Sequence, residues 1–298
     1  MKLLIKKAQS RVIKILNYPM ILIYYFLSSW PHFFYTKIVE KTNLSQVIVL
    51  LSFDCDIDED IDLLPSLLEK LSDLDIMPSL MIPTEILVQR KSQTTNLMNM
   101  SYEFVNHGHK VHTVRDGFNY YSSYDYEKLS FQQMKEDIVT ADTLFKREFN
   151  YYPKGFRTPH FGNVQDKKRL SFIYKVIKDL NYEFSSSTIP YFMYKLGPYR
   201  FNDLLEIPLS GTYTVPLRIL DSFNYFDQRN GSFNGSSYFK EVSKLVEVYK
   251  VRKQGIINLY VDPSHVFSDK YFLESMKFLS ENFTFVNYSN LIERFANE

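Results

Sequence analysis

Apolar positions along this chain change character near residue 46. There they begin to alternate between short continuous runs and longer helical stripes. Residues 46–53 (QVIVLLSF) are apolar and β-branched throughout and end in an acidic cluster, the pattern of a buried central strand. Behind them Leu64, Leu67, Leu68, Leu71 and Leu74 mark one face of a helix, and 78–83 (PSLMIP) reads as a second strand. Residues 110–114 read as a third strand. Ser130 opens the clearest helix, with Gln133 in capping-box position and Phe131, Met134, Ile138, Ala141 and Phe145 recurring at three- and four-residue steps. Further strands are predicted at 155–157, 183–186, 204–207, 256–261 and 283–286, and helices over 166–180, 237–253, 268–281 and 288–296. Such alternation favours a parallel β/α barrel or a doubly wound sheet over any all-α or all-β fold. With no internal repeat and no long linker, the pattern predicts one domain over 43–298 behind a distinct segment, 1–42.

That first segment is basic before it is apolar: Lys2, Lys6, Lys7, Arg11, Lys14 and Lys37 precede the first acidic residue. Its cleanest apolar run, 20–27, falls well short of the ~20 residues a spanning helix needs, and no small-x-small cleavage site follows it. The expectation is a peripheral membrane contact through residues 1–40, with Tyr24, Tyr25 and Trp30 near the headgroups. The alternative is a segment packed on the domain. Removing those 6 bases from the total of 35 leaves 29 basic against 34 acidic residues. A mildly acidic body argues against nucleic acid as a partner. A chain of 298 residues with 45% hydrophobic residues is long and apolar enough for a substantial core. The single cysteine, Cys55, excludes an internal disulfide framework.

In parallel β/α folds, chemistry gathers at the C-terminal ends of strands. After QVIVLLSF stand Asp54, Cys55 and Asp56, and alternation sends the two carboxylates to the same side, where they can divide the work of base and metal ligand. Asp58, Glu59, Asp60 and Asp62 read instead as acidic capping of the following helix.

The segment SFDCD, with the downstream DLLPSLLEKLSDLDIMPSLMIP, resembles the opening of polysaccharide deacetylases of the NodB-homology type, carbohydrate esterase family 4-like. The resemblance implies a deformed (β/α) barrel holding a divalent metal (Zn, or Fe, Mn or Co) against an N-acetylated glycan or glycolipid. It makes Asp54 the general base and Asp56 a metal ligand. Cys55 stands where the family more often has a second Asp, so a thiolate ligand is a lesser option. GFRTPHFGN (155–163) is similar to the family's Arg-x-Pro segment, which implies that Arg157 orients Asp54 and that Pro159, His160 and Phe161 lie beside substrate. YEFSSS and LLEIPLSG follow in family order, and the similarity covers about 46–292.

Two motifs depart from the family's pattern. In HGHKVHTVRDGFN (107–119), a two-residue deletion aligns His112 and Thr113 with the family's first His and its neighbour. Asp116 then stands in place of the second His. The implied metal set is Asp56, His112 and Asp116, with carboxylate an acceptable ligand for such ions. Without the gap Val114 and Phe118 take the ligand positions and no site remains; a third arrangement enlists His107 or His109. In INLYVDPSHVFSD, Asp262 replaces the expected His and His265 follows, so either is a candidate acid for the departing amine. Tyr120, Tyr121, Tyr124, Tyr126, Phe223, Tyr225 and Phe226 are candidates for stacking on sugars. Metal-assisted N-deacetylation of an amino-sugar polysaccharide or glycolipid is the expected activity. Its competitors are a degenerate domain that binds glycan without hydrolysis, and a glycoside hydrolase pairing Asp54 with Glu206 at about 5–10 Å.

Overall fold

The computed structural model describes residues 31–42, 44–116, 119–227 and 234–297; side chains of 31–33, 116, 119–120 and 296–297 lie outside the description. Its centre is β1 (Val47–Asp54), buried along its whole length as an all-apolar strand requires. One edge of β1 pairs in parallel with β10 (Gly255–Val261), from Val47 opposite Gly255 to Phe53 opposite Val261. The other edge is shared: β2 (Ser79–Ile82) takes the upper part and β11 (Thr284–Phe285) the lower. From β2 the sheet continues through β3 (Phe104–Asn106), β6 (Gly155–Phe156), β7 (Phe184–Ser185) and β9 (Leu204–Glu206), all parallel, to the antiparallel β8 (Tyr199–Phe201).

The ladder does not join β9 to β10 directly, and the gap is closed by polar side chains. The Ser210 amide donates to the Asn258 carbonyl at 2.9 Å, and the Asn258 amide donates to Ser210 Oγ. The Asn258 side-chain amide reaches the carbonyls of Ile207 and Pro208 at 3.0 and 3.2 Å. A curled, parallel sheet closed in this way is a deformed (β/α) barrel, as the resemblance implied, and not the doubly wound sheet that the alternating pattern also allowed.

Helices cover the outside. In α2 (Asp58–Ser72), Ile61, Leu64, Leu67, Leu68 and Leu71 face the sheet, each contributing about 1.5–3 kcal/mol by burial. Further round lie α3 (Thr84–Gln89), α4 (Lys91–Asn99), α5 (Phe131–Phe149) and α6 (Lys167–Asp179). The Ser130 capping box of α5 forms as its sequence predicts: Gln133 donates its amide to Ser130 Oγ and accepts from the Ser130 amide. Beyond α7 (Pro190–Leu196) and α8 (Ser222–Tyr225), α9 (Gly235–Arg252) packs on α11 (Lys270–Ser280), and short α10 (Pro263–Val266) lies on α2. The last helix, α12 (Tyr288–Asn297), has its first amides capped by buried Glu103, which accepts from Tyr288 and Ser289 at 2.9 Å each.

Two expectations change. Residues 110–114 are not a strand of the barrel; the third strand is β3, and 107–112 form a loop that leads into a separate hairpin, β4 (Thr113–Asp116) and β5 (Asn119–Ser122). The hydrophobic pattern had no means to show this, because the loop is held by side chains from other segments. Residues 31–40 form α1 (Pro31–Glu40), which packs Phe34, Tyr35, Ile38 and Val39 into the body. Tyr35 Oη donates to the carbonyls of Gly211 and Thr212, so the barrel's packing reaches back into the segment assigned to 1–42. Of the membrane contact expected of residues 1–40, the part over 1–30, with Tyr24, Tyr25 and Trp30, lies outside the described residues; among those described, no helix is long and apolar enough to cross a membrane.

Candidate active site

Within the barrel, the C-terminal ends of β1, β3 and β6 converge on one polar cluster. Arg157, immediately after β6, is fully buried and uses all five of its N–H donors. Nη1 donates to Asp54 Oδ1 and Ser52 Oγ at 2.8 Å each; Nε donates to the Ser186 carbonyl; Nη2 donates to Ser186 Oγ and, at 2.6 Å, to Tyr288 Oη. Asp54 is itself nearly buried. Burial raises its pKa, and the Arg157 guanidinium only partly offsets that rise. No hydrogen bond to the second Asp54 oxygen is recorded among the described residues.

Two residues on, Asp56 meets two imidazoles. His112 Nε2 lies 2.8 Å and His107 Nε2 3.5 Å from Asp56 Oδ1, while Thr113 Oγ1 donates to Asp56 Oδ2 at 3.0 Å. The rings of His107 and His112 meet edge-to-face at 4.8 Å. His107 Nδ1 faces the Arg157 carbonyl at 2.9 Å, and His112 Nδ1 faces the Lys110 carbonyl at 3.4 Å. A carbonyl can only accept, so each Nδ1 donates to its carbonyl, and Nε2 is the ring nitrogen that each imidazole turns to Asp56. The three donor atoms lie within 4.8 Å of one another. Each of the three can serve as a ligand atom to an ion placed between them, and two imidazoles with a carboxylate suit zinc, iron or cobalt. The residues present therefore fit a divalent metal. Burial pushes the Asp56 carboxyl up, but His112 and His107 outweigh it and hold the group well below the usual carboxylate range.

Of the expected metal set, Asp56 and His112 come together, and the third donor brought to them is His107. Asp116 lies in β4 at the hairpin's tip, paired with Asn119, and its side chain is outside the described residues. The signal that could have singled out His107 is its position immediately after a strand, where this fold places its chemistry. Cys55 is fully buried, burial pushes its thiol well above the ordinary value, and it is not part of the Asp56, His107 and His112 cluster. Asp60, read as a capping residue, is also buried and accepts from the amides of Asp56, Ile57 and Ser264, so it fixes the turn that presents Asp56.

His265 sits at the end of β10 with Nδ1 2.9 Å from Asp262 Oδ2, and its Nε2 is shut off from solvent. Burial lowers its pKa, but the Asp262 carboxylate more than restores it, and the net direction is up. Asp262 also accepts from Ser222 Oγ at 2.9 Å. His160, in a left-handed conformation with φ 47°, places Nε2 2.9 Å from the His112 carbonyl and its ring against the His112 ring. Pro159 and Phe161 are buried, Phe161 edge-on to Tyr260 at 5.1 Å. The Tyr120 side chain is outside the described residues; Tyr126 and Tyr225 are core residues, whereas Tyr121 and Phe223 are exposed. From Thr113 an open groove of about 350 Å³ runs past Ile57, Ile86 and Val111, with the Arg115–Glu59 ion pair beside it.

Glu206, the proposed partner of Asp54 in a glycosidase, is fully buried. Oε1 accepts from the amides of Ser187 and Thr188 and from Thr188 Oγ1, and Oε2 from Tyr174 Oη. A carboxylate so engaged organises the turn after β7 and does not line a cleft.

No known family model matches the sequence, and neither does any curated protein. Solved structures do match. A Mycobacterium smegmatis protein described as a polysaccharide deacetylase superposes with a TM-score of 0.64 at 12% identity, over 86% of this chain and 92% of that one. Puue allantoinase gives a TM-score of 0.63 at 10% identity, over 85% and 91%. BA3943 of Bacillus anthracis, a CE4 family pseudoenzyme, gives 0.51 at 11%, over 85% and 67%. The chain thus has the NodB-type fold of polysaccharide deacetylases and CE4 esterases.

Proposed function

We propose that this chain is a metal-dependent hydrolase that removes N-acetyl groups from an amino-sugar polysaccharide or glycolipid. The observation that carries the reading is the convergence of the His107 and His112 Nε2 atoms on Asp56, two residues on from the Asp54 of a buried Asp54–Arg157 pair. Bound by Asp56, His107 and His112, a divalent ion supplies Lewis acidity and acidifies water. Arg157 fixes Asp54 through Oδ1, which leaves the second oxygen to take a proton from the attacking water and to return it to the departing sugar nitrogen. His265, with its Nε2 buried, serves to hold Asp262 in place beside this centre.

Purified protein is expected to release acetate from N-acetylhexosamine polymers or glycolipids in the presence of Zn, Mn or Co. Asp54→Asn should slow that release by about 10²–10⁴-fold, the usual contribution of a positioned acid–base group. An absence of release across a broad panel of acetylated glycans and metals would overturn the proposal. A protein that binds glycan but holds no metal would instead be a degenerate deacetylase; one structural neighbour is described as a CE4 family pseudoenzyme.

A further inference from the structure

Between the two imidazoles of the centre runs a loop, 107–112, with no regular secondary structure, yet its backbone is pinned at nearly every group. The Gly108 amide donates to Asn106 Oδ1; the amides of His109 and Lys110 donate to Asp137 Oδ2 and Oδ1 at 3.0 and 2.9 Å; the Val111 amide donates to Glu85 Oε2 at 3.0 Å. The carbonyls of Gly108 and His109 accept from the amides of Thr84 and Glu85 at the start of α3. Asp137 is only 4% exposed, projects from α5, and accepts a third bond from Tyr126 Oη at 2.7 Å. Gly108 has φ +80°, and a Cβ there would lie 2.4 Å from Asp137 Oδ2, so the carboxylate and the loop are fitted to each other at van der Waals limits.

We infer that Asp137, seconded by Glu85, is a positioning residue: it presets the loop so that His107 and His112 present both Nε2 atoms to one metal. The inference rests on the metal reading above. A loop left to itself would have to be ordered when the ion bound, and that ordering would weaken affinity. Asp137 grips two successive amides with its two oxygens, a task for which a side-chain amide has one acceptor too few. Glu85 grips one loop amide, which Gln can still accept.

The test compares Asp137→Asn, Glu85→Gln and wild-type protein by direct titration with Zn²⁺ and by the visible spectrum of the Co²⁺ form, at temperatures where all three are folded. Expected is a metal affinity about 10- to 100-fold weaker for Asp137→Asn with an altered Co²⁺ spectrum, the range typical of lost ligand-orienting contacts. Glu85→Gln should stay within about threefold of wild type, since the shared amide bond survives the substitution. A merely structural role would lower the melting temperature of Asp137→Asn and leave affinity and spectrum unchanged, and that result overturns the inference. If Asp137→Asn does not fold, Glu85→Ala decides the matter, since it leaves the Val111 amide, next to His112, without its acceptor and should weaken metal binding. Wild-type affinity and Co²⁺ spectrum in that variant then overturn the inference. Wild-type protein that binds neither ion defeats the metal reading itself, and the inference with it.

Discussion

Replacing Arg157 by Met is the sharpest test of how the barrel interior is held. The substitution keeps apolar bulk in the lumen but removes five hydrogen bonds, and their fates differ. Ser52 Oγ retains the Leu259 carbonyl at 3.1 Å, and Tyr288 Oη retains Asn258 Oδ1 at 2.7 Å, so those hydroxyls are not stranded. Asp54 loses its buried guanidinium partner, and it is 4% exposed. The magnitude is therefore set by one uncompensated buried carboxylate, about 3–5 kcal/mol. At about 2–4 °C per kcal/mol for a domain of this size, the melting temperature should fall by about 6–20 °C. The assay is thermal unfolding followed by circular dichroism or calorimetry near neutral pH. Combining Arg157→Met with Asp54→Asn removes the stranded charge, so the double variant should melt above Arg157→Met alone. A fall of less than about 3 °C, or a double variant no more stable than the single one, refutes the claim that this ion pair dominates the interior.

Two further outcomes follow from the same geometry. Metal at about 100-fold its dissociation constant should stabilise the wild type by about 2.7 kcal/mol, a rise of several degrees in melting temperature. His107→Ala should abolish that rise, which calorimetry with and without a chelator will show. Asp221, buried beside Tyr260, has a carboxyl pushed up to about 7, chiefly by burial. A native group that holds its proton more tightly than the unfolded chain loses stability as pH rises between the two pKa values. Stability should therefore decline from pH 4 towards 7 and then level off with respect to this group. Asp221→Asn should flatten that slope, and denaturant midpoints across the range will detect it.

What the sequence made legible was what neighbours in the chain decide. The continuous run ending at Phe53 became β1, and the Ser130–Gln133 pair became the cap of α5, because both are settled within a few residues. The third residue of the candidate metal set was not local. Choosing between His107 and Asp116 depends on the path of the loop after β3, and that path is dictated by Asp137 and Glu85 from two other helices. The barrel's closure was hidden for a similar reason. Asn258 interrupts an otherwise apolar strand, and its use emerges only when the segment after β9 returns to meet it. Glu206 misled as an isolated carboxylate at a strand end, since nothing in LLEIP announces that Ser187, Thr188 and Tyr174 will surround it.

The Tyr288 hydroxyl joins Arg157, 131 residues before it, to Asn258 on the strand that closes the barrel. During synthesis, the guanidinium that aims Asp54 cannot acquire its full set of partners until the last helix has left the ribosome and docked. A nascent chain arrested before α12 would therefore carry Asp54, Asp56, His107 and His112 while its lumen still lacked the Tyr288 lock.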